Sequence, residues 1–213
     1  MIILGLVGSI AAGKSTVARY LAEKGAWWID ADKIAKQTLF DRQVIDALSE
    51  RFGDKILEDG QVSRSALAGL VFGTDSKSKS NLQFLESIVH PLTRTRIRQE
   101  LKNGAQHNAH VGLLDVPLLF EAKWDLVCDQ IWCVDASFEI RQSRCAARGW
   151  DSDELSRRES NQMSTVAKSC LSNEVLQNEG SLAALHEKID ALWENRCTMK
   201  SAKAVGSEGH CEP

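Results

Sequence analysis

Short apolar runs alternate with segments of helical periodicity along the first part of the chain. Residues 2–7 form an almost continuous apolar run that ends at a glycine, as is typical of a strand covered on both faces in a parallel sheet. Over residues 14–24, apolar side chains recur at helical spacing, and Gly25 follows where a helix would end. Residues 26–29 predict a second strand. The opening unit is therefore predicted to be a strand, a turn, a helix and a second strand.

A long helical stretch and three further apolar runs follow. Between about residues 33 and 101, apolar side chains recur at helical spacing, which predicts a helical insertion. Runs at 111–119, 130–134 and 174–176 predict three more strands, and residues 181–194 predict a closing amphipathic helix. Strands that alternate with helices are typical of an α/β protein with a parallel sheet.

The composition excludes several classes of protein. Of the 213 residues, 43% are hydrophobic and 26% are charged, as in ordinary folded proteins, and the net charge of −3 provides no general attraction to nucleic acid or to anionic membranes. No apolar run reaches the roughly 20 residues of a membrane-spanning helix, and no basic segment precedes the first run to indicate export. The six cysteines include no C-x-x-C pair, which favours reduced thiols over a zinc site. We expect a cytoplasmic protein that binds neither nucleic acid nor membrane. We also expect a monomer.

A phosphate-binding motif lies between the first predicted strand and the first predicted helix. Residues 8–15 satisfy the pattern G-x-x-x-x-G-K-S/T, known as the P-loop, in which glycines let backbone amides approach phosphate oxygens. Lys14 would bind the β- and γ-phosphates of ATP, Ser15 would offer its hydroxyl to Mg²⁺, and Thr16 would reach a more proximal phosphate. The residues assigned to nucleotide binding here are Gly8, Ala11, Ala12, Gly13, Lys14, Ser15 and Thr16.

A P-loop identifies a bound nucleotide but not its use. The chain lacks the N-K-x-D segment of a GTPase and the L-S-G-G-Q segment of a transporter ATPase, which favours phosphoryl transfer to a small molecule. A nucleotide-dependent binding or switch protein without transferase activity remains an alternative.

Two aspartates follow the second predicted strand, at the sheet edge where α/β proteins bind ligands. Asp30 and Asp32 are two residues apart, so on an extended chain their side chains would point the same way. We predict Asp32 as the residue that accepts the proton of an attacking hydroxyl or helps to hold Mg²⁺. The alternative for both residues, and more so for Asp30, is that they cap the helix that begins near Lys33.

Three arginines recur at helical spacing after the strand at 130–134. Arg141, Arg144 and Arg148 would form one basic face, like the lid of a kinase that closes over the transferred phosphoryl group. A solvated basic face is an equally good interpretation of Arg141, so only Arg144 and Arg148 are assigned to catalysis.

Two further residues are candidates for the site. Asp115 interrupts an apolar strand, which favours a role in binding Mg²⁺ through water over chance. His90 precedes Pro91, where we predict that a helix ends; a structural role and a substrate contact are equally good interpretations of this histidine.

Five segments together resemble dephospho-coenzyme A kinases. They are the loop G-x-x-x-x-G-K-S-T at 8–16, D-A-D-x-I-A at 30–35, H-P-L at 90–92, D-V-P-L-L-F-E at 115–121 and N-x-G-S at 178–181. They occur in the order seen in that family, and the match extends over residues 1 to about 195. The loop is widely shared, but the second and fourth segments are much more specific.

The resemblance implies that the γ-phosphate of ATP is transferred to the ribose 3′-hydroxyl of dephospho-coenzyme A. It also implies that Asp32 is the catalytic aspartate, that Arg144 and Arg148 are lid arginines, and that Arg64 and His90 belong to the acceptor-binding part. Asn178 would contact adenine. A nucleoside monophosphate kinase is the nearest enzymatic alternative.

The predicted fold is a P-loop three-layer α/β fold with a parallel sheet. Its core comprises residues 1–32 and 102–196 and carries a helical lid at about 138–165. Residues 33–101 form the helical acceptor-binding insertion, and residues 197–213 a disordered tail.

Three loop residues depart from the usual pattern of the resembled family. Ser9, Ala11 and Ala12 stand where Gly, Gly and Ser are usual, whereas residues 13–16 are intact. We expect phosphate binding to survive these changes.

Overall fold

The protein is built around a five-stranded parallel sheet in the order β2-β5-β1-β6-β7, in a computed structural model that describes residues 1–150, 152–160 and 162–205. The elements in chain order are β1 (Ile2–Gly8), α1 (Lys14–Glu23), β2 (Trp27–Asp30), α2 (Ala31–Thr38), α3 (Arg42–Phe52), β3 (Leu57–Glu58), β4 (Gln61–Val62), α4 (Arg64–Val71), α5 (Ser76–Gln106), β5 (Val111–Asp115), β6 (Gln130–Asp135), α6 (Phe138–Ala146), α7 (Ser152–Glu159), α8 (Thr165–Cys170), β7 (Glu174–Gln177) and α9 (Leu182–Val205). The predicted α/β class with a parallel sheet is confirmed.

The sheet is covered on both faces, which makes three layers. Successive side chains of a strand point to opposite faces, so Leu4 and Leu6 of β1 pack with α1 and α9 in one apolar cluster. Val7 of β1 packs in a second cluster with Ile34 of α2 and Ile97 of α5. Burial on both faces explains why the strands are apolar runs without alternation.

The insertion has an apolar cluster of its own. Helices α3 and α4 and the antiparallel hairpin of β3 and β4 pack against the first half of α5. The buried members of this cluster are Val44, Ile45, Leu48, Ile56, Val62, Leu67 and Val71.

The predicted end of a helix at Pro91 is wrong, because α5 continues through the proline to Gln106. A proline removes one backbone donor from a helix and normally kinks or ends it. Here Val89 and Ile97, on either side of the proline, are both buried, and their packing holds the helix together. The second half of α5 thereby packs on the sheet and passes the predicted division at residue 101.

The last helix extends beyond the predicted closing helix. The backbone of α9 is helical as far as Val205, which corrects the first part of the predicted disordered tail. Residues 206–213 of that tail lie outside the described residues. Among the residues that the structure describes, no helix is both long and apolar enough to cross a membrane.

The end of β1 approaches β6 too closely for any side chain. A Cβ atom at Gly8 would lie 2.5 Å from the carbonyl oxygen of Val134, whereas a Cβ at Gly69 in α4 would meet no atom within 4 Å.

We predict that Gly8→Ala lowers the free energy of unfolding by about 2 kcal/mol, and that the control Gly69→Ala raises it by up to about 1 kcal/mol. Denaturant unfolding of both variants tests this, and equal midpoints would contradict the close approach.

Candidate active site

The loop between β1 and α1 is folded as an anion-binding turn. Gly13 adopts a left-handed conformation with φ +104°, and α1 begins at the next residue without a side-chain cap on its first turn. Backbone donors at an uncapped helix N-terminus attract anions, and the helix dipole adds to this attraction. Phosphate binding at this loop is therefore consistent with its backbone geometry.

Ala11 occupies a left-handed conformation, with φ +62°. An L-residue other than glycine pays about 1–2 kcal/mol for that conformation, which explains why glycine is usual there. The methyl group of Ala11 is buried against Cys145 of α6 and Leu155 of α7, and burial of this methyl offsets part of the cost. The alanine thus attaches the loop to α6 and α7.

Ser9 is a buried polar residue with two hydroxyl contacts. Its Oγ donates to Oδ1 of Asp135 at 2.6 Å and lies 2.9 Å from Oγ1 of Thr165 at the start of α8. Since an ionised aspartate only accepts, the Ser9 proton points to Asp135 and Thr165 donates to Ser9. The serine therefore connects the loop to β6 and to α8.

Arg144 and Asn178 bind the carbonyl oxygens of the loop. Nδ2 of Asn178 donates to the carbonyl of Ala12 at 2.7 Å, and Nη1 of Arg144 lies 3.1 Å from the same oxygen and 3.3 Å from the carbonyl of Ala11. Nη2 of Arg144 also donates to the carbonyl of Asn178 at 3.0 Å. In this structure both side chains support the loop from the side of its carbonyl groups.

Arg148, the other predicted lid arginine, lines the cavity of the loop instead. This cavity of about 170 Å³ is also lined by Lys14, Ser15, Pro117 and Gln162. The two arginines predicted to share one function therefore have different surroundings here.

Arg141 is buried, which excludes the solvated basic face that the sequence left open. Its Nη1 pairs with Glu159 of α7, and its Nε donates to the carbonyl of Ala136 at 3.1 Å. The residue joins α6 to α7, whereas Arg148 lines the cavity of the loop.

Lys14 pairs with Asp115, the acid at the end of β5. Asp115 is 5% exposed, and its second oxygen, Oδ2, accepts from Nε1 of Trp28 at 3.3 Å. These partners explain how a carboxylate is tolerated at the end of a buried strand.

Few of the described side chains near the loop are suitable ligands for Mg²⁺. Ser15 is exposed at the start of α1 and provides the type of oxygen ligand that Mg²⁺ accepts. Both oxygens of Asp115 are engaged by protein groups, which fits a contact through water better than a direct one. No group of three or more His, Cys, Asp or Glu side chains that could hold a metal occurs among the described residues. The residues present thus fit a magnesium ion held largely by phosphates and water.

Asp30 and Asp32 belong to different local structures. Asp30 is the N-cap of α2, and its Oδ1 accepts the backbone N–H of Lys33 at 2.9 Å. Asp32 lies in the first turn of that helix, so the expectation that both side chains point the same way from an extended chain was wrong. A helix that begins at Ala31 changes the direction of every following side chain.

The carboxyl group of Asp32 has a pKa raised above that of an ordinary aspartate. Desolvation by the surrounding protein is the main cause, although the residue as a whole is exposed at the edge of a cavity; the charge of Lys14 opposes the rise, and that of Asp30 adds to it. A raised pKa makes this carboxylate a better proton acceptor.

Asp32 and His90 line one cavity of about 230 Å³ between α2, α5 and the segment after β5. Pro117 lines both this cavity and the cavity of the loop, so the two are neighbours. Arg64 does not line it, because it lies exposed at the start of α4 with its guanidinium over the ring of Phe40.

Arg94 also lines this cavity, and our sequence interpretation missed it. Its Nη2 donates to the carbonyl of Ala122 at 2.7 Å, and its guanidinium lies over the ring of Trp124. His90, Arg94 and Ile97 are spaced on α5 as one helix face, and that spacing is the signal that would have identified the arginine.

Comparisons with known proteins agree on one family. A family model described as dephospho-CoA kinase matches residues 2–184. The dephospho-CoA kinase of Rhodopirellula baltica is 40% identical over 190 residues, which cover 89% of this chain and 88% of that protein. The yeast Saccharomyces cerevisiae has a dephospho-CoA kinase that is 36% identical over 90% of this chain and 81% of its own length.

Two solved structures have the same fold. A protein from Thermus thermophilus superposes with a TM-score of 0.74 at 34% identity, over 91% of this chain and 97% of that one. A dephospho-CoA kinase from Campylobacter jejuni superposes with a TM-score of 0.66 at 20% identity, over 91% of this chain and 96% of that one, which shows similarity of fold alone.

The different positions of the two aspartates predict different effects on stability. Asp30→Ala removes the cap of α2 and should lower the free energy of unfolding by about 1 kcal/mol. Asp32→Ala should lower the free energy of unfolding by less than about half as much, because this substitution removes no cap. The stability linked to the raised pKa of Asp32 is fully present only below the unfolded pKa and is lost as pH rises through the folded pKa, so it does not add to the effect of Asp32→Ala above that range.

Thermal and denaturant unfolding of both alanine variants at pH 7 measures these effects. A loss at Asp32 equal to or larger than the loss at Asp30 would contradict the assignment of the cap to Asp30.

Proposed function

The chain belongs to the dephospho-CoA kinase family, and from this premise we propose that it transfers the γ-phosphoryl group of ATP to the ribose 3′-hydroxyl of dephospho-coenzyme A. The product would be coenzyme A, and the step would be the last in its synthesis. We also propose that the enzyme works with Mg²⁺ in the cytoplasm as a monomer.

The observation that carries the proposal is the adjacency of two cavities with complementary chemistry. One contains the loop with Lys14 and Arg148, and the other contains Asp32 and His90; Pro117 borders both. A phosphate donor in the first cavity and a hydroxyl acceptor in the second would meet beside Asp32. This arrangement supports a transferase over a switch protein, which has no need for an acceptor cavity with a proton-accepting carboxylate.

In the proposed reaction, the 3′-hydroxyl oxygen attacks the γ-phosphorus and gives its proton to the carboxylate of Asp32. A bond forms between that oxygen and phosphorus, and the bond from phosphorus to the β,γ-bridging oxygen breaks, with ADP as leaving group. The raised pKa of Asp32 favours its role as the acceptor of the proton.

The remaining residues would orient the phosphates and stabilise their charge. The amides of the loop and the ammonium of Lys14 would bind phosphate oxygens, and Arg148 would approach the transferred group from the lid. A magnesium ion at Ser15 would neutralise further phosphate charge, with Asp115 reaching it through water. Arg144 and Asn178 would hold the loop in shape, so their effect on catalysis would be exerted through the backbone.

The acceptor would be oriented by residues of the insertion. His90 and Arg94 offer polar and cationic groups to the cavity of Asp32, which suits an acceptor that carries phosphate groups. Arg64, packed over Phe40, is better suited to the framework of the insertion than to direct contact.

A panel of acceptors tests the substrate. We predict that purified protein with MgATP makes coenzyme A from dephospho-coenzyme A, with turnover at least 10²-fold above that with AMP, CMP or UMP. Release of ADP in a coupled assay and mass detection of the product measure this. Faster turnover of a nucleoside monophosphate would favour the alternative kinase, and ATP binding without any turnover would favour a binding protein.

Replacement of the proton acceptor tests the mechanism. Asp32→Asn should lower turnover by about 10²-fold or more and leave the affinity for MgATP nearly unchanged, because the amide cannot accept the proton. In the wild type, kcat should fall as pH drops through the raised pKa of Asp32, and this acid limb should be absent in the variant.

Asp30→Asn is the matched control, since an asparagine still caps α2. It should keep wild-type turnover at neutral pH, and its acid limb should shift to lower pH because the charge of Asp30 no longer raises the pKa of Asp32. Wild-type turnover in Asp32→Asn would refute the role of Asp32 as base.

A further inference from the structure

A buried lysine lies beside the loop on α8, outside the residues assigned so far. Lys168 is 2% exposed. One turn earlier on the same helix face, Thr165 contacts the hydroxyl of Ser9 in the loop. Lys168 lines a cavity of about 330 Å³ together with Ser9, Ile10 and Gln162. The helix thus brings an ammonium group to a cavity that borders the loop.

Stability does not explain this lysine. A buried ammonium is costly unless it is paired, and even paired buried charges are often replaced by apolar residues without loss. The partner of Lys168 Nζ is a neutral amide, Oε1 of Gln162, at 2.9 Å. Desolvation accordingly lowers the pKa of Lys168, and the nearby charge of Lys14 lowers it further, while those of Glu121 and Glu159 oppose the shift. A costly group next to a phosphate site is a candidate for a functional role.

The bond to Lys168 fixes the orientation of the Gln162 amide. An ammonium group only donates, so the amide atom that faces it is the oxygen. The Nε2 group, which only donates, is left on the other side of the amide. Gln162 lines the cavity of the loop as well as that of Lys168, and in the loop cavity it has Lys14 and Arg148 as neighbours.

The segment that carries Gln162 is held in place from the other side. Oε1 of Glu121, which follows the strand β5, accepts the backbone N–H of Met163 at 2.8 Å. The backbone N–H of Gln162 is bonded to the carbonyl of Glu159 at 3.1 Å. The amide of Gln162 therefore extends from a fixed backbone between two cavities.

We propose that Lys168 is a positioning residue for phosphoryl transfer: it holds Oε1 of Gln162 and thereby directs the Nε2 donor of Gln162 to the phosphates bound at the loop. Gln162 then touches the reacting group, and Lys168 acts through it. The inference deepens the proposed function and rests on it, since it needs a triphosphate donor in the loop cavity.

Gln162→Glu is the decisive variant, because it separates orientation from folding. A glutamate of the same shape keeps an oxygen for Lys168 and turns a neutral contact into an ion pair, so the melting temperature should not fall. The variant replaces the Nε2 donor with an acceptor that faces phosphate, so turnover should fall at least about 10-fold. Wild-type turnover in Gln162→Glu would overturn the proposal.

A double-mutant cycle tests whether Lys168 acts through Gln162. Lys168→Met and Gln162→Ala should each lower kcat about 10-fold, and the double variant should lose no more than Gln162→Ala alone. Multiplied losses in the double variant would show two independent roles and overturn the proposal. The matched control is Lys24→Met at the far end of α1, where the lysine pairs with Asp190; it should keep wild-type turnover.

The same assays distinguish this inference from the proposed function. If the wild type and Lys24→Met fail to phosphorylate dephospho-coenzyme A, the proposed function fails, and the positioning role falls with it. If both controls turn over and Gln162→Glu does so equally well, only the positioning role is wrong.

Discussion

The phosphate loop must turn its amides to one side, and this constraint governs much of the surrounding structure. A backbone that presents successive N–H groups to an anion turns carbonyl oxygens the other way, where they need donors of their own. Asn178 and Arg144 supply these donors to Ala12 and Ala11. The loop is therefore connected to α6 through Arg144 and to the end of β7 through Asn178. These connections exist because the loop carbonyls need donors once the amides face an anion.

The charges around the loop are arranged for a ligand that is strongly negative. Lys14 forms an ion pair with Asp115, and without this pair the buried carboxylate of Asp115 would lack a cationic partner. Lys168 lies close enough to Lys14 for the two ammonium groups to repel each other, and its own hydrogen-bond acceptor is the neutral amide of Gln162. The carboxyl group of Asp32 is desolvated and lies near the like charge of Asp30, and both effects raise its pKa and favour its protonated form.

The outcomes at Pro91 and Arg141 have one origin. Pro91 was taken as a helix end because the local rule for proline is strong, yet burial of Val89 and Ile97 outweighs one lost backbone bond. For Arg141 the sequence left a solvated basic face open, but the residue joins α6 to α7 through Glu159. In each case the deciding contact involves residues that are far apart in sequence or packed on another element, and no local pattern contains it.

Patterns within single segments determined the rest. The apolar runs predicted a parallel sheet because strands buried on both faces require them, and the G-x-x-x-x-G-K-S/T spacing predicted the anion turn because backbone conformation at Gly13 and the helix after it are local properties. The cap formed by Asp30 is also a local contact, and the sequence already offered it as an interpretation. Only the tertiary structure decided that Asp32 borders a cavity with His90, and that Gln162 lies between Lys168 and the loop. Those relations arise where separate elements meet, since the orientation of a side chain depends on the packing of the element that carries it.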